Sequence, residues 1–144
     1  MKEKDSYFIS NSVEETREIA KKFGESLVGG DVVLYKGDVG AGKTLFTQGV
    51  CLAFEVDDYV NSPSYIIVNT YSSKKYTIYH YDLYRIGSID ELTELGYYEF
   101  VGKSGTISLI EWSELLENEK PKSYYEVDID IIDSSKRGIR IRKF

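Results

Sequence analysis

The stretch Gly37-Asp38-Val39-Gly40-Ala41-Gly42-Lys43-Thr44 meets the pattern G-x-x-x-x-G-K-[ST] at every fixed position. Residues of these types at this spacing can hold a chain of phosphates. Glycines let a short loop curl with its amide N–H groups turned inward, and no Cβ atom then blocks the phosphate oxygens. A helix that starts where the loop ends adds the positive end of its dipole. The expected contacts are Gly37, Asp38, Val39, Gly40, Ala41, Gly42, Lys43, Thr44 and Leu45, with the Lys43 ammonium on the β and γ phosphates and the Thr44 hydroxyl on Mg²⁺. The rival dinucleotide fingerprint G-x-G-x-x-G fails, because its last glycine, counted from Gly40, falls on Leu45.

Hydrolysis needs more than a cradle; it also needs an acid that holds the metal or orients the attacking water. Two carboxylates qualify. In YTIYHYDLYR, strand alternation puts Ile78, His80, Asp82 and Tyr84 on one face and Tyr79, Tyr81 and Leu83 on the other. Asp82 therefore shares a face with the only histidine. In TISLIEW, Glu111 stands near the carboxyl end of an apolar run, where open α/β sheets build ligand sites. Either carboxylate can serve. His80 reads as a hydrogen-bonded packing residue, Cys51 as a small buried one, and Trp112 as a neighbour of Glu111.

These groups meet only if regular elements deliver them. Ser6 to Ile9 predicts a short strand, and Ser12 with Glu15 three residues on predicts a capped helix through about Leu27. Ile19, Phe23 and Leu27 supply its buried stripe. Asp31 to Tyr35 predicts a buried strand leading into the glycine loop, and Leu45, Phe46, Gly49, Val50 and Ala53 predict a helix leading out. Ser64 to Tyr71 and Tyr76 to Tyr84 predict a hairpin around SSKK, and Ile89 to Leu95 a short acidic helix stopped by Gly96. Thr106 to Trp112 is apolar on both faces, as a doubly covered central strand must be. Tyr124 to Ile132 and Ile139 to Arg142 predict a closing pair. The basic end KRGIRIRK reads as an amphipathic edge strand rather than a phosphate patch. The expected fold class is α/β, a P-loop NTPase-like three-layer domain with a mixed central sheet and short antiparallel hairpins, with residues 1–144 as one nucleotide-binding domain.

Composition narrows the setting. The chain has 144 residues, 42% hydrophobic and 29% charged, which is ordinary globular usage without repeats or biased tracts. The single cysteine cannot form an internal disulfide, and MKEKDSYFIS has no apolar stretch for a signal peptide, so a reducing cytoplasm is expected. No apolar run approaches the roughly 20 residues that cross a bilayer. A formal net charge of −6 opposes direct binding to a polyanion.

GDVGAGKT, NSPSY at 61–65, YHYDLYRI at 79–86, ELTELGYYEF at 91–100 and SLIEW at 108–112 follow one another in an order and spacing that resembles the TsaE family, formerly called YjeE. The resemblance runs from about Asp31 to Trp112. It implies a bacterial cytoplasmic, Mg²⁺-dependent ATPase, slow alone, that is needed for threonylcarbamoyl modification of the adenosine beside the tRNA anticodon. Such proteins do not transfer the group; they bind the TsaB–TsaD pair, hydrolyse ATP to support its turnover, and meet tRNA only through that complex. By the same resemblance Lys43 contacts phosphates, Thr44 and Glu111 hold Mg²⁺, and Asp82 positions or activates the water. The family usually reads SPT where this chain has Ser62-Pro63-Ser64, which keeps a hydroxyl.

Three other functions use similar chemistry. A small-molecule kinase would need to clamp a second phosphate-bearing substrate, yet the chain has five arginines and none cluster between Gly37 and Trp112. A GTPase lacks its Asn-Lys-x-Asp segment. A binding module, in which nucleotide orders a docking surface and hydrolysis is incidental, is the contrasting class.

Overall fold

The computed structural model describes residues 5–38, 40–56 and 68–144. The first helix, α1 (Val13–Glu25), starts because Ser12 caps it: its hydroxyl accepts the Glu15 N–H at 3.1 Å, while the Glu15 carboxylate accepts the Asn11 N–H at 2.7 Å. Its buried side is Thr16, Ala20, Phe23 and Gly24, continued by Leu27, with the expected Ile19 at the margin of the stripe. The second helix, α2 (Lys43–Ala53), lies against it.

Two glycines set how closely these helices approach. A Cβ on Gly24 would come 2.9 Å from the Val50 carbonyl oxygen, and one on Gly49 would come 2.7 Å from that of Arg17. Backbone therefore packs on backbone, and α1 and α2 form one plate over the sheet.

The strands are β1 (Asp5–Ser10), β2 (Val32–Lys36), β3 (Val68–Ser72), β4 (Thr77–Asp82), β5 (Thr106–Glu111), β6 (Tyr125–Ile131) and β7 (Arg137–Lys143), in the spatial order β1-β7-β6-β2-β5-β4-β3. β2 runs parallel to both β5 and β6, and β4 parallel to β5; β1–β7, β6–β7 and β3–β4 are antiparallel. This is the expected mixed sheet with hairpins. Alternation along β2 sends Val33 and Tyr35 to the α1–α2 side, where they meet Leu109, Val127 and Ile139. Val32 and Leu34 point the other way, to Leu92 of α3 (Glu91–Glu94), Tyr97 of α4 (Tyr97–Phe100) and Leu116 of a 3-10 helix (Ser113–Glu119). Every residue of β5 is buried, as its two-sided apolar pattern requires. Across β6 and β7 the second face carries charge: Glu126 meets Lys36 at 3.4 Å and Arg142 at 2.6 Å. The third layer thus covers the half of the sheet that ends at the glycine loop.

Three expectations need correction or bounding. KRGIRIRK is not an edge strand: β7 lies between β1 and β6. Its alternation is real, with Ile139 and Ile141 buried and Arg140 exposed, but Arg140 and Arg142 mark the sheet's uncovered face, and the edge strand on that side is β1. The strand expected to run to Tyr84 ends at Asp82, whose carboxylate accepts the Tyr84 N–H at 3.0 Å and starts a 3-10 turn (Leu83–Arg85). Tyr84 so leaves the His80 face. Of the expected strand Ser64 to Tyr71, 68–71 lies in β3, whereas 64–67 and the NSPSY segment fall outside the described residues. Among the described residues, no helix is long and apolar enough to cross a membrane.

Gly49→Ala places a methyl against the Arg17 backbone, which cannot move aside as a side chain would. We expect it to lower unfolding free energy by about 1–3 kcal/mol, read as a lower urea midpoint at unchanged slope.

Candidate functional site

The parallel ladder brings three strand ends to one edge. β2 runs directly into Gly37, β5 ends at Glu111, and β4 ends at Asp82, the register partner of Glu111. The two carboxylates that the sequence left as alternatives are therefore neighbours. Ligand sites of parallel sheets lie at this carboxyl edge, where helices turn back and leave a crevice.

Backbone geometry makes the glycine loop. Gly37 has φ 141°, and a Cβ there would stand 2.6 Å from the Ile129 carbonyl oxygen, so the loop can pass β6 only as glycine. Gly40 and Gly42 have φ 86° and 114°, also in the region that side chains disfavour, but face open space. Ala41 N–H donates to Asp38 O at 3.0 Å, which closes a turn; Val39 lies outside the described residues. Gly42 then caps α2 without any side-chain hydrogen bond, and Phe46 N–H to Gly42 O, 2.9 Å, is the first bond of the helix. The amides of Lys43, Thr44 and Leu45 precede that bond, at the positive end of the helix dipole.

Lys43 is 9% exposed, and its ammonium donates to the Gly37 carbonyl at 2.9 Å. The same nitrogen lies 5.3 Å from the ring centre of Trp112. Trp112 reaches it because its φ of 59° turns the chain out of β5, and its ring packs 4.8 Å from that of Tyr84. Lys43 thus bridges the start of the loop and the end of β5.

The acids are held differently. Glu111 is buried and its Oε2 accepts from His80 Nε2 at 2.6 Å; His80 is fully buried on β4. His80 was expected as a packing residue with a hydrogen bond, and the bond is to a candidate site acid. Beside Glu111, burial pushes the Tyr35 phenol up, opposed by the Thr47 hydroxyl that donates to it at 3.0 Å and reinforced by the Glu111 charge. Asp82 is half-buried, and its carboxyl is pushed above the ordinary carboxylate value by burial first. The Tyr84 N–H opposes that rise, the Glu111 charge adds to it, and His80 and Lys43 oppose it. Lys43, His80, Asp82 and Glu111 so form one electrostatic unit.

Arg137 was not among the expected site residues. Its Nε donates to the Ala41 carbonyl at 3.0 Å, while Nη1 donates to Asp133 O at 2.9 Å and Lys136 O at 3.0 Å, which ties the loop to the β6–β7 turn. Alternation in KRGIRIRK was the available signal: Arg137 shares a strand face with Ile139 and Ile141, whereas Arg140 and Arg142 lie on the other.

Among the described residues no three His, Cys, Asp or Glu side chains cluster as metal ligands. Mg²⁺ characteristically takes one or two carboxylates, a hydroxyl, phosphate oxygens and retained waters. Thr44, at the first turn of α2, and Glu111 match that demand.

Asp82 is held at a cost to the fold. A carboxyl whose folded-state pKa is raised contributes stability below its unfolded value, and loses it as pH rises through the folded one. Asp82→Asn keeps an acceptor for Tyr84 N–H but has no charge to desolvate. It should melt at a higher temperature than the parent at pH 7, and at nearly the same temperature near pH 3, by calorimetry without nucleotide.

A model of the family described as threonylcarbamoyl adenosine biosynthesis protein TsaE matches residues 10–139, a span that includes the loop and both acids. Chains named tRNA threonylcarbamoyladenosine biosynthesis protein TsaE are similar over most of the sequence. That of Rickettsia felis is 40% identical over 130 residues, covering 90% of this chain and 75% of its own length. That of Bacillus subtilis is 36% identical over 126 residues, covering 88% and 78%, and that of Aquifex aeolicus 35% over 135 residues, covering 92% of each. The crystal structure of Bacillus subtilis YdiB superposes with a TM-score of 0.77 at 29% identity, over 98% of this chain and 86% of that one.

Proposed function

The chain belongs to the TsaE family, and we propose that it serves tRNA threonylcarbamoyladenosine synthesis as an ATP hydrolase that supports turnover of a TsaB–TsaD pair. The reading is carried by one observation: the glycine loop, the Lys43 ammonium and the carboxylates of Asp82 and Glu111 converge at the ends of three adjacent parallel strands. Loop amides, the α2 terminus and Lys43 together offer a dense field of donors for a triphosphate, at the place where its negative charge is greatest. On binding, Lys43 exchanges the Gly37 carbonyl for phosphate oxygens.

The acids divide the remaining work. Glu111, buried and fixed by His80, suits a metal ligand, which asks for an oxygen donor in a fixed place. Asp82, half-buried and with a raised proton affinity, suits the group that orients a water and receives its proton as the water oxygen bonds to the γ phosphorus. The bond from that phosphorus to the bridging oxygen breaks, and ADP carries away the electron pair. Mg²⁺ held by Thr44 and Glu111 would neutralise phosphate charge that Lys43 alone leaves uncompensated. The acidic net charge of −6 agrees with a partner that acts through proteins and leaves tRNA to the complex.

Lys43→Ala removes the one buried ammonium of the site and should weaken ATP binding by on the order of 10- to 100-fold in calorimetric titration. Glu111→Ala and Asp82→Ala should instead retain binding within several-fold and lower phosphate release by on the order of 100-fold. Hydrolysis should be slow for the chain alone and faster with TsaB and TsaD. Intact ATP binding with no phosphate release in either setting would replace hydrolysis by a nucleotide-gated docking role.

A further inference from the structure

We propose that His80 is a positioning residue for Glu111: its Nε2–H fixes one carboxylate oxygen, Oε2, and leaves Oε1 as the oxygen offered to the cation beside the glycine loop. The inference rests on the nucleotide-binding reading above and adds to it a residue that supports the metal without touching it.

The ladder shows how unusual the contact is. His80 sits opposite Leu109, and Glu111 opposite Asp82, so the 2.6 Å bond crosses the β4–β5 pair on a diagonal. It draws the Glu111 carboxylate back toward the body of the sheet, to a depth where its side chain is 6% exposed and that of His80 is fully buried. The inner end of the pair adjoins the apolar core: Ile78 and Leu109, next to His80 on the same sheet face, belong to that core, as does Tyr71. Tyr71 of β3 packs against the imidazole at 6.3 Å between ring centres. A carboxylate buried in such a place without a donor is expensive, and Lys or Arg would satisfy it by neutralising it. Imidazole supplies one N–H directed by a rigid ring, which holds a single carboxylate oxygen and leaves the other without a bond to His80. His80 Nδ1 has no hydrogen-bond partner among the described residues, so the Glu111 contact is the polar contact that orients the ring. Hydrogen-bonded support of this kind is what tunes a metal-ligating carboxylate.

The distinction from a packing residue lies in the donor atom. Gln at position 80 can carry an amide N–H about as far as Nε2, Asn falls short of Glu111, and Phe fills the space with no donor. Mn²⁺ is titrated into the full chain with ADP and followed by electron paramagnetic resonance of the free ion; ADP binding is measured separately in EDTA, and each variant's melting temperature is recorded. His80→Phe and His80→Asn should lose tenfold or more in Mn²⁺ affinity, while His80→Gln stays within about threefold of the parent. All should bind ADP in EDTA as the parent does. If His80→Phe does not fold, the comparison of Gln with Asn decides. Equal losses for Gln and Asn, or parent-like Mn²⁺ affinity for Asn, overturn the role of His80 while the nucleotide reading stands. A parent chain that fails to bind ADP in EDTA overturns both.

Discussion

The parallel pairing of β4 and β2 with β5 is the constraint on which the site depends. Parallel strands end on the same side, so three segments distant in sequence deliver their last residues to one crevice. A one-residue slip in the β4–β5 register would turn Asp82 and His80 to the opposite face, away from Glu111 and Lys43. That register is fixed by burial: Ile78 and Tyr81 leave β4 on opposite faces, and each fills a different core. The chemistry is thus positioned by apolar side chains that take no part in it.

Charge at the crevice is arranged against the local interest of the fold. Asp82 and Glu111 are adjacent like charges, one half-buried and one buried, and each would be easier to accommodate in water. Two cationic or donor groups, Lys43 and His80, face them from α2 and β4. Lys43 is itself pulled from solvent and satisfied by a backbone carbonyl and an indole ring. Each group is thus satisfied by a neighbour within the fold, at the cost of burying charge at the edge of the sheet.

Much of this was legible in the residues because the signals are local. The loop glycines, the Ser12–Glu15 cap, the buried pattern of β5 and the SSKK turn each state their own geometry within a few positions. Most of what was not legible depends on segments far apart in sequence. KRGIRIRK looked like an edge strand because its period is that of any strand with one charged face; only the return of β1 to pair with β7 shows that the edge is elsewhere. Asp82 ended its strand early through a side chain that also reads as a strand residue. The His80–Glu111 bond spans 31 positions, and the Arg137–Ala41 bond 96, so neither leaves a trace in any window of the sequence.

The two glycines between α1 and α2 have a mechanical consequence. α2 begins at the last residue of the loop, so whatever occupies the loop pushes or pulls on its axis. At Gly24 and Gly49 the backbone of one helix is seated on the backbone of the other, and Phe23 packs on Phe46 beside them, so the two helices share one close-packed seam. A shift of α2 at the loop would therefore be felt by α1, whose outer surface lies on the far side of the plate from the crevice.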